Sequence, residues 1–162
     1  DTPCNTPTLL NALNKIDSDF DINIIVGGAF ECWNKLYKSI DSSKHLVKLH
    51  SNVKNIGKIM IQNDIAITGG GITSLELCSL GIPSIIICGS IYENETSLLL
   101  EKYGSAINLG YKKNFRVDDI TETVKKLLDN YEQRKEMNKV GKNLIDEKGS
   151  KRVVEIILRI NK

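Results

Sequence analysis

Short apolar runs and helical stripes alternate along the whole chain. Five short segments rich in β-branched residues predict strands at 22–26, 46–50, 64–68, 84–88 and 106–109. Apolar residues spaced three or four apart predict helices at 6–16, 30–40, 56–62, 72–80, 93–103, from 118 onward, at 131–145 and at 152–160. Strands that alternate with helices form βαβ units, so the pattern predicts an α/β fold: a Rossmann-like parallel sheet with helices on both faces, in a single domain over 1–162.

The pattern is sharpest between residues 64 and 88. The 72–80 helix is expected to end at Gly81, because glycine past a helix followed by Pro83 is a typical C-terminal stop. An inward stripe of Leu75, Cys78 and Leu80 is expected on this helix. The 84–88 strand is almost continuously apolar, which predicts a central strand buried on both faces beside the 65–68 strand.

Charge and hydropathy exclude several classes of function. Lys and Arg number 22 and Asp and Glu 20, and the resulting net charge of +2 is too even for a dedicated nucleic-acid binder. No apolar run reaches the roughly 18–20 residues that span a bilayer, and no signal peptide is visible. We therefore expect a cytoplasmic protein that binds no nucleic acid, and a domain that does no membrane work, since the C-terminal helices carry interleaved charges and no exposed apolar helix is predicted.

Four cysteines are spaced without any C-x-x-C pair, at positions 4, 32, 78 and 88. With only two histidines as possible partners, a metal site is not expected. Buried free thiols are the prediction, and nothing in the sequence indicates a cofactor.

The candidate chemistry lies where the third strand enters a glycine-rich turn. In parallel sheets, ligands bind outside the carboxyl ends of the strands. Three glycines let the backbone approach a ligand, and the positive end of the following helix dipole favours an anion there. The turn therefore predicts a phosphate or diphosphate site, formed by Gly69, Gly70, Gly71, Ile72 and Thr73.

Glu76 follows Thr73 by three positions, so both project from one side of the helix. A carboxylate directly against a diphosphate is repelled, and one turn away it can accept hydrogen bonds from ribose hydroxyls. Together these residues predict a nucleotide ligand. The alternative is an ordinary strand–helix turn followed by a solvated glutamate.

A second polar cluster, Glu93, Asn94 and Glu95, follows the fourth strand and opens onto the same edge of the predicted sheet. These side chains can hydrogen-bond sugar hydroxyls, or they can be acids that the helix dipole stabilises. Gly27 and Gly28 form a third turn on this edge, which is best read as a plain βα connection. No catalytic triad can be assembled from the sequence.

The segment 64–85 resembles the C-terminal half of GT-B-fold nucleotide-sugar enzymes. It is most similar to the UDP-2,4-diacetamido-2,4,6-trideoxy-β-L-altropyranose hydrolases of pseudaminic acid synthesis and the spore-coat polysaccharide proteins, and also to the UDP-GlcNAc transferase that forms lipid II. The positions that fall on the shared pattern are Gly69, Gly70, Thr73, Glu76, Gly81 and Pro83.

The resemblance implies that the 69–73 turn binds the UDP diphosphate, Glu76 the ribose, and the 90–96 loop the sugar. Two positions depart from the pattern: Glu95 stands where relatives carry glutamine, and Gly71 where many carry a small hydroxylated residue. In the resembling hydrolases the base is a histidine of an N-terminal domain that this chain lacks. The chain is thus expected to be a UDP-sugar-binding half that turns over nothing alone.

Three functions stay open at this point. The first is the C-terminal domain of a sugar-nucleotide hydrolase in nonulosonic acid or surface polysaccharide synthesis. The second is the donor-binding half of a GT-B glycosyltransferase, which would share every residue named above. The third is a non-catalytic domain that retains the fold.

Overall fold

The computed structural model describes residues 4–111, 116–146 and 148–160. Within these residues, five strands alternate with helices, and three helices follow the last strand. Their order is α1 (Asn5–Leu13), β1 (Ile22–Val26), α2 (Trp33–Asp41), β2 (Val47–Ser51), α3 (Gly57–Met60), β3 (Ala66–Thr68), α4 (Ile72–Leu80), β4 (Ser84–Cys88), α5 (Ile91–Tyr103), β5 (Ala106–Tyr111), α6 (Val117–Asp129), α7 (Tyr131–Leu144) and α8 (Gly149–Ile160).

All strand pairs in the described residues are parallel, which confirms the predicted fold class. They form two ladders instead of the single sheet that we expected: β1 pairs with β2, and β4 lies between β3 and β5. β3 has only three residues, which leaves little backbone for a second ladder. A side-chain hydrogen bond links β1 to the segment before β3: Asn23 Nδ2 donates to Asn63 Oδ1 at 3.0 Å.

The central unit, from α4 to β4, has the boundaries that the sequence predicts. Gly81 ends α4 with a φ of 72°, and the N–H of Ile82 donates to the carbonyl of Leu77 at 2.8 Å, as in a Schellman motif. Every residue of β4 is buried. The parallel pairing of β3 with β4, Ala66 opposite Ser84, confirms that these strands are neighbours.

The inward face of α4 differs from the expected stripe. Its buried residues are Ser74, Leu77 and Cys78, whereas Leu75 and Leu80 are only partly buried. Leu75, Cys78 and Leu80 all belong to or pack against buried clusters, as expected. The prediction missed Ser74 and Leu77 because α4 is apolar on nearly every side, so the pattern of apolar residues alone does not define its inner face.

Two cysteines are joined, which corrects the prediction of four free thiols. Cys4 precedes α1 and Cys32 precedes α2, and their Cα atoms lie 5.7 Å apart in a disulfide. Neither residue sits in an apolar run, and the packing of α1 beside α2 brings the two helix starts together. Cys78 and Cys88 are buried free thiols, as expected.

Helix α8 corrects the expectation that no apolar helix is exposed. None of its residues is buried, and its six large apolar side chains are each at least 51% exposed. These residues are Val153, Val154, Ile156, Ile157, Leu158 and Ile160. The sequence did not predict this surface, because Glu155 and Arg159 lie among the apolar residues and a count of charges therefore indicates a polar helix. Every helix in the described part of the chain is too short or too polar to span a bilayer.

Candidate functional site

The two polar clusters that the sequence singles out meet at one edge of the three-stranded sheet. β3 leads through the glycines at 69–71 into α4, and β4 leads through Gly89 and Ser90 into α5. Because β3 and β4 are parallel neighbours, both turns leave the sheet at its carboxyl edge. We call the segments 69–71 and 89–90 the α4 turn and the α5 turn.

The three glycines of the α4 turn have different surroundings. A Cβ atom on Gly70 would lie 2.6 Å from Ser97 Oγ, 2.8 Å from Glu93 Cβ and 2.9 Å from the Glu93 carbonyl oxygen. A Cβ on Gly71 would have no atom within 4 Å, and one on Gly69 only a carboxylate oxygen at 3.9 Å. Glycine is therefore required at position 70 by the close packing of α5, whereas the backbone at 71 is open to a ligand.

The carboxylate of Glu93 links the two turns. Its Oε2 accepts a hydrogen bond from the N–H of Gly89 at 2.6 Å and another from the N–H of Gly70 at 3.3 Å. Two serine side chains hold the backbone of Glu93: Ser90 Oγ accepts from its N–H, and Ser97 Oγ donates to its carbonyl. One backbone amide of each turn thus already faces a negatively charged group of the chain itself.

The N-terminus of α4 is open by comparison. Gly71 is its N-cap and has no side chain with which to cap it, and the first turn of α4 carries no acid. The first N–H groups of a helix have no partner within the helix, so those of Ile72 and Thr73 are suited to receive an anion. Thr73 and Glu76 are both exposed and lie on the same side of α4.

The remaining residues of the predicted sugar site differ in burial and in hydrogen bonding. Asn94 is partly buried and its Oδ1 accepts from Asn108 Nδ2 at 3.0 Å, whereas Glu95 is exposed. The residues that directly follow the two turns carry large apolar side chains that are at least 75% exposed: Ile72, Ile91 and Tyr92.

The role of Glu93 in joining the turns was missed at the level of sequence, although a signal was present. Ser90 and Glu93 form the S-x-x-E signature of a capping box, in which the glutamate bonds the N–H of the N-cap residue. Here the carboxylate reaches one residue further back, to Gly89, and also across to Gly70. A local motif cannot reveal this second contact, which joins residues 23 positions apart.

The thiol next to the α5 turn is not an activated nucleophile. The thiol of Cys88, at the end of β4, has its pKa raised by burial, which keeps it protonated and poorly nucleophilic at neutral pH. Burial likewise raises the pKa of Cys78. No group of three or more metal-ligating side chains occurs in the part of the chain that the structure describes.

Comparison with known proteins bears on the fold of the chain. No protein-family profile matches the chain. It is 24% identical over 139 residues to the spore coat polysaccharide biosynthesis protein SpsG of Bacillus subtilis, covering 86% of this chain and 41% of that protein. It is 33% identical over 92 residues, 56% of this chain, to the uncharacterized protein MJ1062 of Methanocaldococcus jannaschii, of which it covers 18%.

Among solved structures, MurG of Acinetobacter baumannii superposes with a TM-score of 0.82 over 93% of this chain and 44% of its own, at 14% identity. The chain has the fold of one GT-B half. The spinosyn forosaminyltransferase SpnP also superposes, with a TM-score of 0.63 over 86% of this chain and 33% of its own, at 16% identity. The chain thus spans less than half the length of each of these four proteins.

Proposed function

We propose that this chain is the UDP-sugar-binding half of a sugar-nucleotide hydrolase that acts in nonulosonic acid or surface polysaccharide synthesis. The observation that carries the proposal is the open N-terminus of α4 at the carboxyl edge of a GT-B half, with Thr73 and Glu76 exposed on one side of the helix. The similarity to a polysaccharide biosynthesis protein along 86% of the chain supports the same setting.

In this proposal the diphosphate lies on the 69–73 segment, chiefly against the N–H groups of Gly71, Ile72 and Thr73. The helix dipole of α4 adds attraction for the negative charge. Glu76, one turn further along, accepts hydrogen bonds from the two ribose hydroxyls, and a carboxylate acceptor makes these bonds about twice as strong as neutral ones. The sugar extends toward Asn94 and Glu95 of α5.

A second half of the protein would complete the active site. The full-length relatives exceed this chain by more than a factor of two, and α8 presents six apolar side chains that are each at least 51% exposed. Apolar surface of this kind marks an interface. A base on that second half would activate water for attack on the nucleotide-sugar, while the α4 turn stabilises the departing UDP.

A glycosyltransferase half is the second candidate. The superposition with a protein named a forosaminyltransferase favours it, and the residues that bind the donor would be the same. The two functions differ only in the nucleophile that attacks the nucleotide-sugar: water in the hydrolase, and a hydroxyl of an acceptor bound by the second half in the transferase.

Binding of UDP to the isolated chain tests the donor site. We expect UDP to raise the melting temperature more than ADP or GDP do, since a ligand that binds only the folded state stabilises it. Glu76→Gln removes the charged acceptor and should weaken UDP about tenfold, because hydrogen bonds to charged groups contribute roughly 1.5–3 kcal/mol.

Glu122→Gln is the matched control, since it makes the same change on an exposed position of α6. Equal shifts with all three nucleotides would reject recognition of the base. An unchanged affinity in Glu76→Gln would remove Glu76 from the site. Hydrolysis of UDP-sugars at enzyme-like rates by this chain alone would contradict the need for a second half.

A further inference from the structure

Two backbone N–H groups at the candidate site already bind a carboxylate of the chain itself. Glu93 Oε2 lies 2.6 Å from the nitrogen of Gly89 and 3.3 Å from that of Gly70. Converging amides from two turns form an anion-binding notch, and here Glu93 fills it. An external phosphate can reach these amides only by displacing a charged group.

Several contacts hold the carboxylate in this position. Ser97, which is fully buried, donates to the Glu93 carbonyl at 2.8 Å, and Ser90 accepts from its N–H. The Cβ of Glu93 lies so close to Gly70 that a methyl group there would overlap it. The side chain therefore leaves the helix directly above the notch.

Like charges repel, and the repulsion between two groups at a few ångströms is only partly screened by salt at a half-buried position. We propose that Glu93 is a positioning residue: its carboxylate occupies the notch between the two turns and so directs the phosphates of a ligand to the amides of residues 71–73. This inference rests on the proposed nucleotide site. It gives Glu93 a role different from the sugar contact that the sequence predicts.

The test uses ¹⁵N NMR of the chain, with inorganic pyrophosphate and UDP as probes. In the wild-type chain, pyrophosphate should move the amide signals of Ile72 and Thr73 and leave that of Gly89 in place. In Glu93→Ala the notch is open, so the Gly89 amide should exchange with water at least tenfold faster, and pyrophosphate should now move it as well.

Glu93→Gln keeps an acceptor for both amides and removes the charge, so it serves if the alanine variant folds poorly. We expect it to tighten pyrophosphate about threefold at low salt, an effect of the size of an exposed charge interaction. The gain should shrink as salt is added, and Glu122→Gln should show none.

Three results would overturn the inference. One is a Gly89 amide that is equally protected and unmoved by pyrophosphate in Glu93→Ala. Another is unchanged or weaker pyrophosphate binding in Glu93→Gln. The third is a Glu93 variant that binds a UDP-sugar more weakly than the wild type but binds UDP equally well. That result would assign Glu93 to sugar binding. A wild-type chain in which UDP moves no amide of 71–73 would reject the proposed function instead, and the Gly89 result in Glu93→Ala would still decide whether Glu93 fills the notch.

Discussion

Two of the glycine-containing turns that follow strands look alike in sequence, yet their surroundings differ. Gly27 and Gly28 follow β1, and a Cβ atom on either would meet nothing within 4 Å. The α4 turn follows β3, and there a Cβ on Gly70 would overlap the first two turns of α5. Only the second turn is packed against a neighbouring helix and linked by hydrogen bonds to a second turn of the chain.

The two regions are also fixed by different means. Close to the first turn, the disulfide of Cys32 with Cys4 ties the start of α2 to the start of α1. Around the second turn, the Glu93 carboxylate and the hydroxyl of Ser97 provide the connections. The comparison teaches that a glycine-rich sequence identifies a turn, whereas its neighbours in the sheet decide how closely that turn is packed and what it is hydrogen-bonded to.

Removal of the disulfide should give the largest loss of stability. The bond closes a loop between cysteines 28 positions apart, for which chain entropy predicts a stabilisation of about 3–4 kcal/mol. Urea unfolding of the Cys4→Ser, Cys32→Ser double variant measures it. Hydrogen exchange should quicken at Gly27 and Gly28 and stay unchanged at 69–71.

Wild-type protein treated with reductant should match the double variant, since Cys78 and Cys88 carry no disulfide. If oxidised and reduced chains unfold at the same urea concentration, the two helix starts are not held in this way.

Gly70→Ala should cost less than the disulfide but still about 2–3 kcal/mol. The added methyl would meet backbone and side-chain atoms of Glu93 within 3 Å, and overpacking of this kind costs roughly 1–3 kcal/mol. Gly28→Ala is the control: its neighbourhood is open, so we expect stability unchanged within about 0.5 kcal/mol. Similar losses for both variants would remove the distinction between the turns.

Most of the fold follows from sequence, and the reasons lie in particular elements. β1, α4 and β4 have the predicted boundaries because glycine or proline follows or precedes each apolar run. The pairing of Cys4 with Cys32 and the open apolar face of α8 depend on how helices pack, and no local pattern encodes that. The inner face of α4 was predicted only in part, because its apolar residues surround the helix and the pattern does not single out Ser74 and Leu77.

The candidate site, like the fold, could be predicted from the sequence only in part. The sequence places Gly69–Gly71 and Glu93–Glu95 correctly at neighbouring turns, since parallel strands β3 and β4 bring them to one edge. It does not reveal that the crowded glycine is Gly70 or that Glu93 reaches across to it, because both facts are contacts between residues more than 20 positions apart. Their binding of a UDP-sugar stays a prediction.

Gly71→Ser should have the smallest effect and the opposite sign. Position 71 has room for a side chain and is the uncapped N-cap of α4, where serine is preferred over glycine by a few tenths of a kcal/mol. We expect a slightly higher melting temperature. A marked loss of stability would show that the backbone at 71 is more confined than the structure indicates.

The most direct test of the account is a ¹⁵N NMR titration of the wild-type chain with UDP, in which the two glycine turns serve as site and internal control. We expect the amide signals of Gly71, Ile72 and Thr73 to move with a single dissociation constant, while those of Gly27 and Gly28 stay in place. Signals that move at the first turn, or at neither turn, would contradict the assignment of the nucleotide to the N-terminus of α4.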